Sequence, residues 1–123
     1  MRMMTYAEGT YPHVMVNIST TPLDLMILLH DGAIESLRKA VLYMNSGDIT
    51  GKTEHISKAI AIIERILTSF DLREGGDEAF YLQRVYAYIL KELAIGHINN
   101  NVRIIGYIQD MMKELKKVWR QIQ

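Results

Sequence analysis

The sequence predicts an all-α protein, an antiparallel up-down four-helix bundle with an N-terminal arm. Three observations support this prediction. Both prolines lie within the first 22 residues, apolar residues beyond them recur at helical spacing, and short polar or glycine-containing stretches divide the chain. A chain of 123 residues suits one domain with a modest core. We therefore predict an arm over residues 1–21 and a single-domain bundle over residues 22–123.

The first helix is predicted to run from Pro22 to about Asn45. Thr21 is a suitable N-cap, Pro22 suits the first helical position, and Asp24 suits the first turn. The Asn-Ser-Gly-Asp stretch at 45–48 ends the helix. Its core side is predicted to hold the larger apolar residues Leu23, Met26, Ile34, Leu37, Val41 and Met44.

The remaining three helices follow from the same periodicity. The second starts at Thr53 or upstream and ends near Asp71. The stretch 73–77 is predicted to be a loop, with Asp77 as N-cap of a third helix that ends near Gly96. After three asparagines, a fourth helix runs from Val102 to near Ile122. Their apolar faces are, in order, Ile56, Ala59, Ile60, Ile63, Ile66, Leu67 and Phe70; Leu82, Tyr86, Ile89, Leu90 and Leu93; and Ile104, Ile108, Met111, Met112, Leu115 and Trp119.

Composition excludes several functional classes. Fourteen basic and fourteen acidic residues cancel, which is unlike a nucleic-acid binder or a membrane-surface protein. The absence of cysteine excludes disulfides, zinc-thiolate sites and thiol nucleophiles. The longest aliphatic run, residues 25–29, is far shorter than the roughly 20 residues that span a bilayer. We expect a cytoplasmic protein with no nucleic-acid partner, no membrane insertion, and no metal or cofactor.

Some apolar residues lie opposite the predicted core stripes. On the first helix these are Leu25, Leu28, Gly32 and Tyr43, with Leu29 at the margin; on the third they are Tyr81, Tyr88 and Ile95; on the second, Ile62 lies off the stripe. Exposed apolar patches usually mark interaction sites, and a glycine inside a helix permits close approach of another backbone. The pattern predicts a groove that binds a helix. Permanent cover by the arm, or by a second copy in a homodimer, would explain it equally well.

Two histidines are candidates for chemistry. His55 with Lys58 and Ala59 resembles the His-x-x-Lys-Gly pattern of histidine phosphotransfer domains, in which an exposed imidazole accepts a phosphoryl group and the lysine helps to neutralise it. Here alanine replaces glycine and His55 lies near a helix start, so a solvated helix face is the preferred interpretation. His30 lies on the core side, where we expect it to be partly buried and to make one hydrogen bond.

Several segments resemble, in order, the flagellin-specific export chaperones of the FliS family. Residues 20–34, TTPLDLMILLHDGAI, are similar to the family's Ser/Thr-Pro helix opening that leads to Leu-Tyr-Asp-Gly-Ala. Later similarities are Lys58-Ala59 with Ile62-Ile63, Phe70-Asp71 with Gly75-Gly76, Leu82 with residues 85–88, and Trp119. The chain departs from the pattern at His30, where tyrosine is usual, at Val85 in place of leucine, and at Gly96-His97 in place of Ala-Asn.

This resemblance implies a binding protein and not an enzyme. Its cargo would be the C-terminal segment of flagellin, which is disordered when free and becomes partly helical on the bundle. Binding would block premature polymerisation in the cytosol and present flagellin to an export gate component of the flagellar type III secretion apparatus. The arm, with Tyr6, Tyr11, Val14 and Ile18, would cover the groove until cargo displaces it. The chain would be a monomer or a weak homodimer, and the outward apolar residues above would contact the cargo.

Overall fold

A computed structural model describes residues 22–69 and 72–122 of the chain. These residues form four helices: α1 (Pro22–Asn45), α2 (Ile49–Thr68), α3 (Leu72–Ile98) and α4 (Val102–Ile122). α1 packs against α2 and α4, and α3 packs less extensively against the same two helices. Because short connections join consecutive helices, neighbouring helices run antiparallel around the ring. The predicted all-α four-helix bundle is confirmed. The predicted arm lies outside the described residues, and the division into arm and bundle stays a prediction.

The ends of α2 and α3 refine the predicted boundaries. α2 begins at Ile49, since the Asp48 side chain accepts a hydrogen bond from the Gly51 backbone N–H at 2.9 Å and caps the helix. It ends at Thr68, earlier than predicted. The predicted loop at 73–77 is wrong in its extent, because the chain is helical from Leu72 and breaks only at Gly76, with φ 62° and ψ −147°. Glycine adopts that positive φ without steric cost.

The turn between α3 and α4 is built by asparagines. Asn100 adopts a positive φ of 51° after the end of α3, a conformation that asparagine tolerates better than most residues. The Asn101 side-chain oxygen then accepts from the backbone N–H groups of Arg103 at 3.1 Å and Ile104 at 3.4 Å. Asn101 therefore caps α4 and fixes its predicted start at Val102.

The core lies where the apolar stripes of the four helices meet. The fully buried large side chains are His30, Leu37, Ile56, Ile63, Ile66, Tyr86, Ile89, Leu93, Ile105, Ile108 and Met112. On α1 the buried face is centred on Met26, His30, Ala33, Leu37 and Ala40. The larger residues predicted for that centre, Ile34, Val41 and Met44, pack at its edge and are half-buried. The buried face of α1 is therefore rotated from the predicted one, because the small residues Ala33 and Ala40 allow α1 to approach its neighbours closely.

Lys52 fixes the end of the bundle where α2 begins. Its side chain is buried, and Nζ donates to the His97 carbonyl at 3.0 Å and to Asn100 Oδ1 at 3.2 Å. An ammonium group at the carboxyl end of a helix also interacts favourably with the helix dipole. Within residues 22–69 and 72–122, none of the helices is long and apolar enough to span a membrane.

Candidate functional site

A groove of about 920 Å³ runs between α3 and α4. Its apolar lining consists of Tyr81, Leu82 and Val85 from α3 and Tyr107, Met111, Leu115, Val118 and Ile122 from α4. Tyr81, Tyr107 and Ile122 are 67%, 54% and 61% exposed. The α3/α4 groove is therefore open to solvent. Leu82, Val85, Met111 and Leu115 form a half-buried floor against the core, and the other apolar lining residues are exposed.

The groove exists because α4 has more apolar surface than its neighbours can bury. One stripe, which includes Ile105, Ile108 and Met112, is fully buried in the core. A second stripe at spacings of three and four residues lies beside it: Tyr107, Met111, Leu115, Val118 and Ile122. Met111 and Leu115 of that second stripe are half-buried against the core, whereas Tyr107, Val118 and Ile122 are exposed. The exposed part therefore forms one wall of the groove.

One end of the groove lies at the end of the bundle where α1 begins. Asp77 from the start of α3 and Ile122 from the end of α4 both line it, and α1 runs antiparallel to α4. An ion pair of 2.5 Å between Lys116 and Asp31 ties these two helices together near the same end. Pro22, the first described residue, therefore lies at the same end of the bundle as Asp77 and Ile122.

The rim of the groove is acidic. Asp77 and Glu78 lie on the α3 side, and Asp110 and Glu114 lie on the α4 side. None of the described lining residues is lysine or arginine. Glu114 also forms an exposed ion pair with Lys117 at 3.2 Å, whereas Glu78 and Asp110 are exposed and face the solvent above the apolar floor.

Two of the predicted contact residues on α3 belong to this region. Tyr81 lines the groove. Tyr88 is 43% exposed, and partial burial raises its pKa, with the charge of Glu92 and the nearby Tyr107 acting in the same direction. Tyr88 therefore extends the apolar surface beyond the groove along α3. Ile95 is half-buried and does not line the groove.

The predicted contact residues on α1 lie on the opposite side of the bundle. Leu25 and Leu28 are 37% and 58% exposed and form what we call the α1 patch. Leu29 and Ile62 pack against the core. Gly32 faces α2 of the same chain, since a Cβ atom added there would lie 3.3 Å from Ile62 Cδ1. The close approach at Gly32 is therefore a contact between α1 and α2.

Tyr43 and His55 form a stacked pair between α1 and α2. Their ring centroids are 5.3 Å apart and the rings are inclined by only 3°. Gly51 makes room for the pair, because a Cβ atom there would lie 2.5 Å from the Tyr43 ring. His55 is only 8% exposed, so its predicted position on a solvated face is wrong. A covered imidazole is also poorly placed to accept a phosphoryl group, while Lys58 is exposed.

A buried network connects α1, α3 and α4 behind the groove. His30 Nδ1–H donates to the Met26 carbonyl at 2.7 Å, which leaves Nε2 to accept from the Tyr86 hydroxyl at 2.6 Å. Trp119 Nε1–H donates to the same hydroxyl oxygen at 2.9 Å. His30 is fully buried and makes two hydrogen bonds, where the sequence predicted partial burial and one. Burial lowers the pKa of His30, which favours the neutral ring that this network requires.

The α4 wall of the groove was not predicted from the sequence. Tyr107, Val118 and Ile122 were not assigned to any site, and Met111 and Leu115 were assigned to the core stripe. The signal was present in the second apolar stripe of α4. Within the described residues, no group of three or more His, Cys, Asp or Glu side chains could hold a metal ion.

Comparison with known proteins finds similarity to flagellar proteins of the FliS family. The family model described as flagellar protein FliS matches residues 4–123. The flagellar secretion chaperone FliS of Salmonella typhimurium is 30% identical, over 97% of this chain and 93% of the relative. The protein of the same name from Escherichia coli is 27% identical, over 96% of this chain and 91% of the relative. The flagellar secretion chaperone FliSB of Pseudomonas aeruginosa is 31% identical, over 80% of this chain and 78% of the relative.

Proposed function

Since the chain belongs to the FliS family of flagellar proteins, we propose that it is a cytoplasmic chaperone that binds the disordered C-terminal segment of flagellin. Bound flagellin would be prevented from premature polymerisation and delivered to the export gate of the flagellar type III secretion apparatus. The role of flagellar export chaperone rests on family membership. The identity of the cargo and the manner of its binding are proposals.

The observation that supports this proposal best is the open α3/α4 groove. Large exposed apolar side chains arranged along a groove between helices suit an amphipathic helix, which would bury apolar anchors at i, i+3, i+4 and i+7. A disordered segment that folds on binding pays an ordering cost of about 2–5 kcal/mol. Affinity then stays moderate despite a large contact area, which suits a cargo that must be released.

The α1 patch is a second candidate contact. Leu25 and Leu28 are exposed on the side of the bundle opposite the groove, so one cargo helix could not contact both surfaces. An extended segment that wraps around the bundle could do so. Tyr88 and Ile95 would lie along the path of cargo that leaves the groove, whereas Leu29, Gly32, Tyr43 and Ile62 would support the fold beneath it.

Paired variants test the contribution of each surface. Tyr81→Ala should weaken binding of a flagellin C-terminal peptide, measured by isothermal titration calorimetry. Its neighbour Phe80 is 54% exposed but does not line the groove, so Phe80→Ala serves as the matched control. For the α1 patch, Leu28→Asp should weaken binding. Leu42→Asp is its control, since Leu42 is 55% exposed on the same helix about four turns away. Equal effects within both pairs would contradict the proposed surfaces.

The arm is proposed to cover the groove when cargo is absent. Its apolar residues Tyr6, Tyr11, Val14 and Ile18 would pack against the lining. Pro22, which follows the arm, lies at the end of the bundle where Asp77 and Ile122 line the groove. Deletion of residues 1–16 should then speed association of the flagellin peptide in stopped-flow measurements. An unchanged association rate would show that the arm does not cover the groove.

A further inference from the structure

The acidic rim of the α3/α4 groove has the same sign on both walls. Asp77 and Glu78 from α3 and Asp110 from α4 are exposed and carry the negative charge, whereas Glu114 is paired with Lys117. No positively charged side chain lies among the described lining residues. The groove thus combines an apolar floor with exposed carboxylates on both walls, and an occupant must be complementary to both.

This combination specifies the chemistry of the occupant. A helix that lies along the groove presents one apolar stripe to the floor, and the positions that flank this stripe lie beside the rim. Lysine or arginine at those positions would meet carboxylates of opposite sign, whereas aspartate or glutamate would be repelled. We propose that the α3/α4 groove selects an amphipathic helix whose apolar stripe is flanked on both sides by basic residues. The inference rests on the proposed function, because it specifies which cargo helix the groove accepts.

The same charges distinguish an external helix from the chain's own arm. Residues 1–21 contain one arginine, Arg2, and one acidic residue, Glu8. Apart from His13, these charges balance, so the arm gains little from the rim. A second copy of the chain has a formal net charge of zero and gains no overall attraction either. The rim therefore favours basic cargo over both of these competitors, although all three could offer apolar side chains to the floor.

Two synthetic peptides test the charge preference directly. Both carry the same leucine stripe at i, i+3, i+4 and i+7; lysines flank the stripe in one peptide and glutamates in the other. The lysine peptide should bind more tightly, by about two- to fivefold for each rim carboxylate engaged. Raising the salt concentration from about 0.05 M to about 0.5 M should reduce the difference, because salt screens exposed charges. Equal affinities at low salt would overturn the proposal.

Variants of the rim locate the effect. Glu78→Gln with Asp110→Asn should weaken binding of the lysine peptide about tenfold, mainly through slower association. The control is Glu54→Gln with Glu64→Gln, which makes the same charge change at exposed positions of α2 outside the groove. Glu78→Lys with Asp110→Lys should reverse the preference towards the glutamate peptide. If the control pair weakens binding as much as the rim pair, or if no reversal occurs, the rim does not select the occupant.

Further measurements separate the possible occupants. If a peptide of residues 1–21 competes as strongly as the lysine peptide itself, the rim does not discriminate against the arm. If light scattering finds a dimer that Glu78→Lys with Asp110→Lys disperses, the occupant is a second copy. Either result would overturn the inference.

The flagellin C-terminal peptide separates this inference from the proposed function. Flagellin binding that Tyr81→Ala weakens, but that salt and the rim variants leave unchanged, would remove the inference and leave the proposed function intact. If the lysine peptide binds and the flagellin peptide does not, the proposed function is contradicted, and the charge preference of the groove is retained.

Discussion

The buried His30 ring should make the stability of the bundle depend on pH. Its neutral form uses both ring nitrogens, one as donor to Met26 and the other as acceptor from Tyr86. A second proton would place an N–H against the Tyr86 hydroxyl hydrogen. Burial lowers the pKa of His30 most, the Met26 hydrogen bond and Asp31 raise it, and Lys116 lowers it further. The folded state therefore favours neutral His30 more strongly than the unfolded chain does.

The direction and upper limit of the effect follow from proton linkage. In the unfolded chain the pKa of a histidine is about 6.5. Because the pKa of His30 is lower in the folded state, the unfolded chain binds more protons as the pH falls below that value. The free energy of unfolding then falls by at most about 1.4 kcal/mol per pH unit. If His30 stays neutral in the bundle, lowering the pH from about 7.5 to about 5.5 removes about 1.4 kcal/mol in total.

Denaturation by urea, followed by the fluorescence of the single tryptophan Trp119, measures this loss. His30→Gln retains a donor and an acceptor but cannot titrate, so its loss over the same pH range should be smaller by up to about 1.4 kcal/mol. Burial and Lys52 lower the pKa of His97, so His97 also reduces stability as the pH falls. His97→Gln therefore measures that separate contribution. Equal losses in the wild type and in His30→Gln would refute the assignment to His30.

Three further substitutions, two of them with a comparison variant, test how the helices are held. Lys52→Met should lower the free energy of unfolding by about 1.5–3 kcal/mol, because the His97 carbonyl and Asn100 Oδ1 lose their charged donor. Lys58 is exposed on the same helix, so Lys58→Met should change this free energy by less than about 0.5 kcal/mol. Gly96→Ala should destabilise by about 1–3 kcal/mol in urea unfolding, since its Cβ would lie 2.9 Å from an isoleucine of α4. A Cβ atom added at Gly106 would have no neighbouring atom within 4 Å, so Gly106→Ala should instead raise the free energy of unfolding by up to about 1 kcal/mol. Asp48→Ala should cost about 1 kcal/mol in thermal unfolding, because it removes the N-cap of α2.

Helix positions could be predicted from the sequence because their signals are local. The turn at 45–48 and the asparagines at 99–101 separate helices whose apolar periodicity is strong. The helical turn before Gly76 was missed, since a Gly-Gly pair normally indicates a loop. The predicted loop at 73–77 contains the break at Gly76, but the residues from Leu72 to Gly75 are helical.

The orientation of α1 could not be predicted because it depends on partners. The predicted stripe included Ile34 and Val41, which lie at the edge of the observed buried face. The observed buried face is centred on Ala33, Ala40 and Leu37, since small side chains allow α1 to lie close to its neighbours. This rotation explains why Gly32 and Tyr43, predicted to face outward, instead contact α2.

The α3/α4 groove depends on the difference between tight and loose packing within one bundle. α1 packs closely against α2 and α4, whereas α3 packs less extensively against them. Polar contacts hold α3 at two points: Lys52 at its carboxyl end, and Tyr86, which accepts from Trp119 and donates to His30. Because these contacts have defined lengths and directions, they position the walls without filling the space between them. The second stripe of α4 can therefore remain exposed while the core stays fully packed.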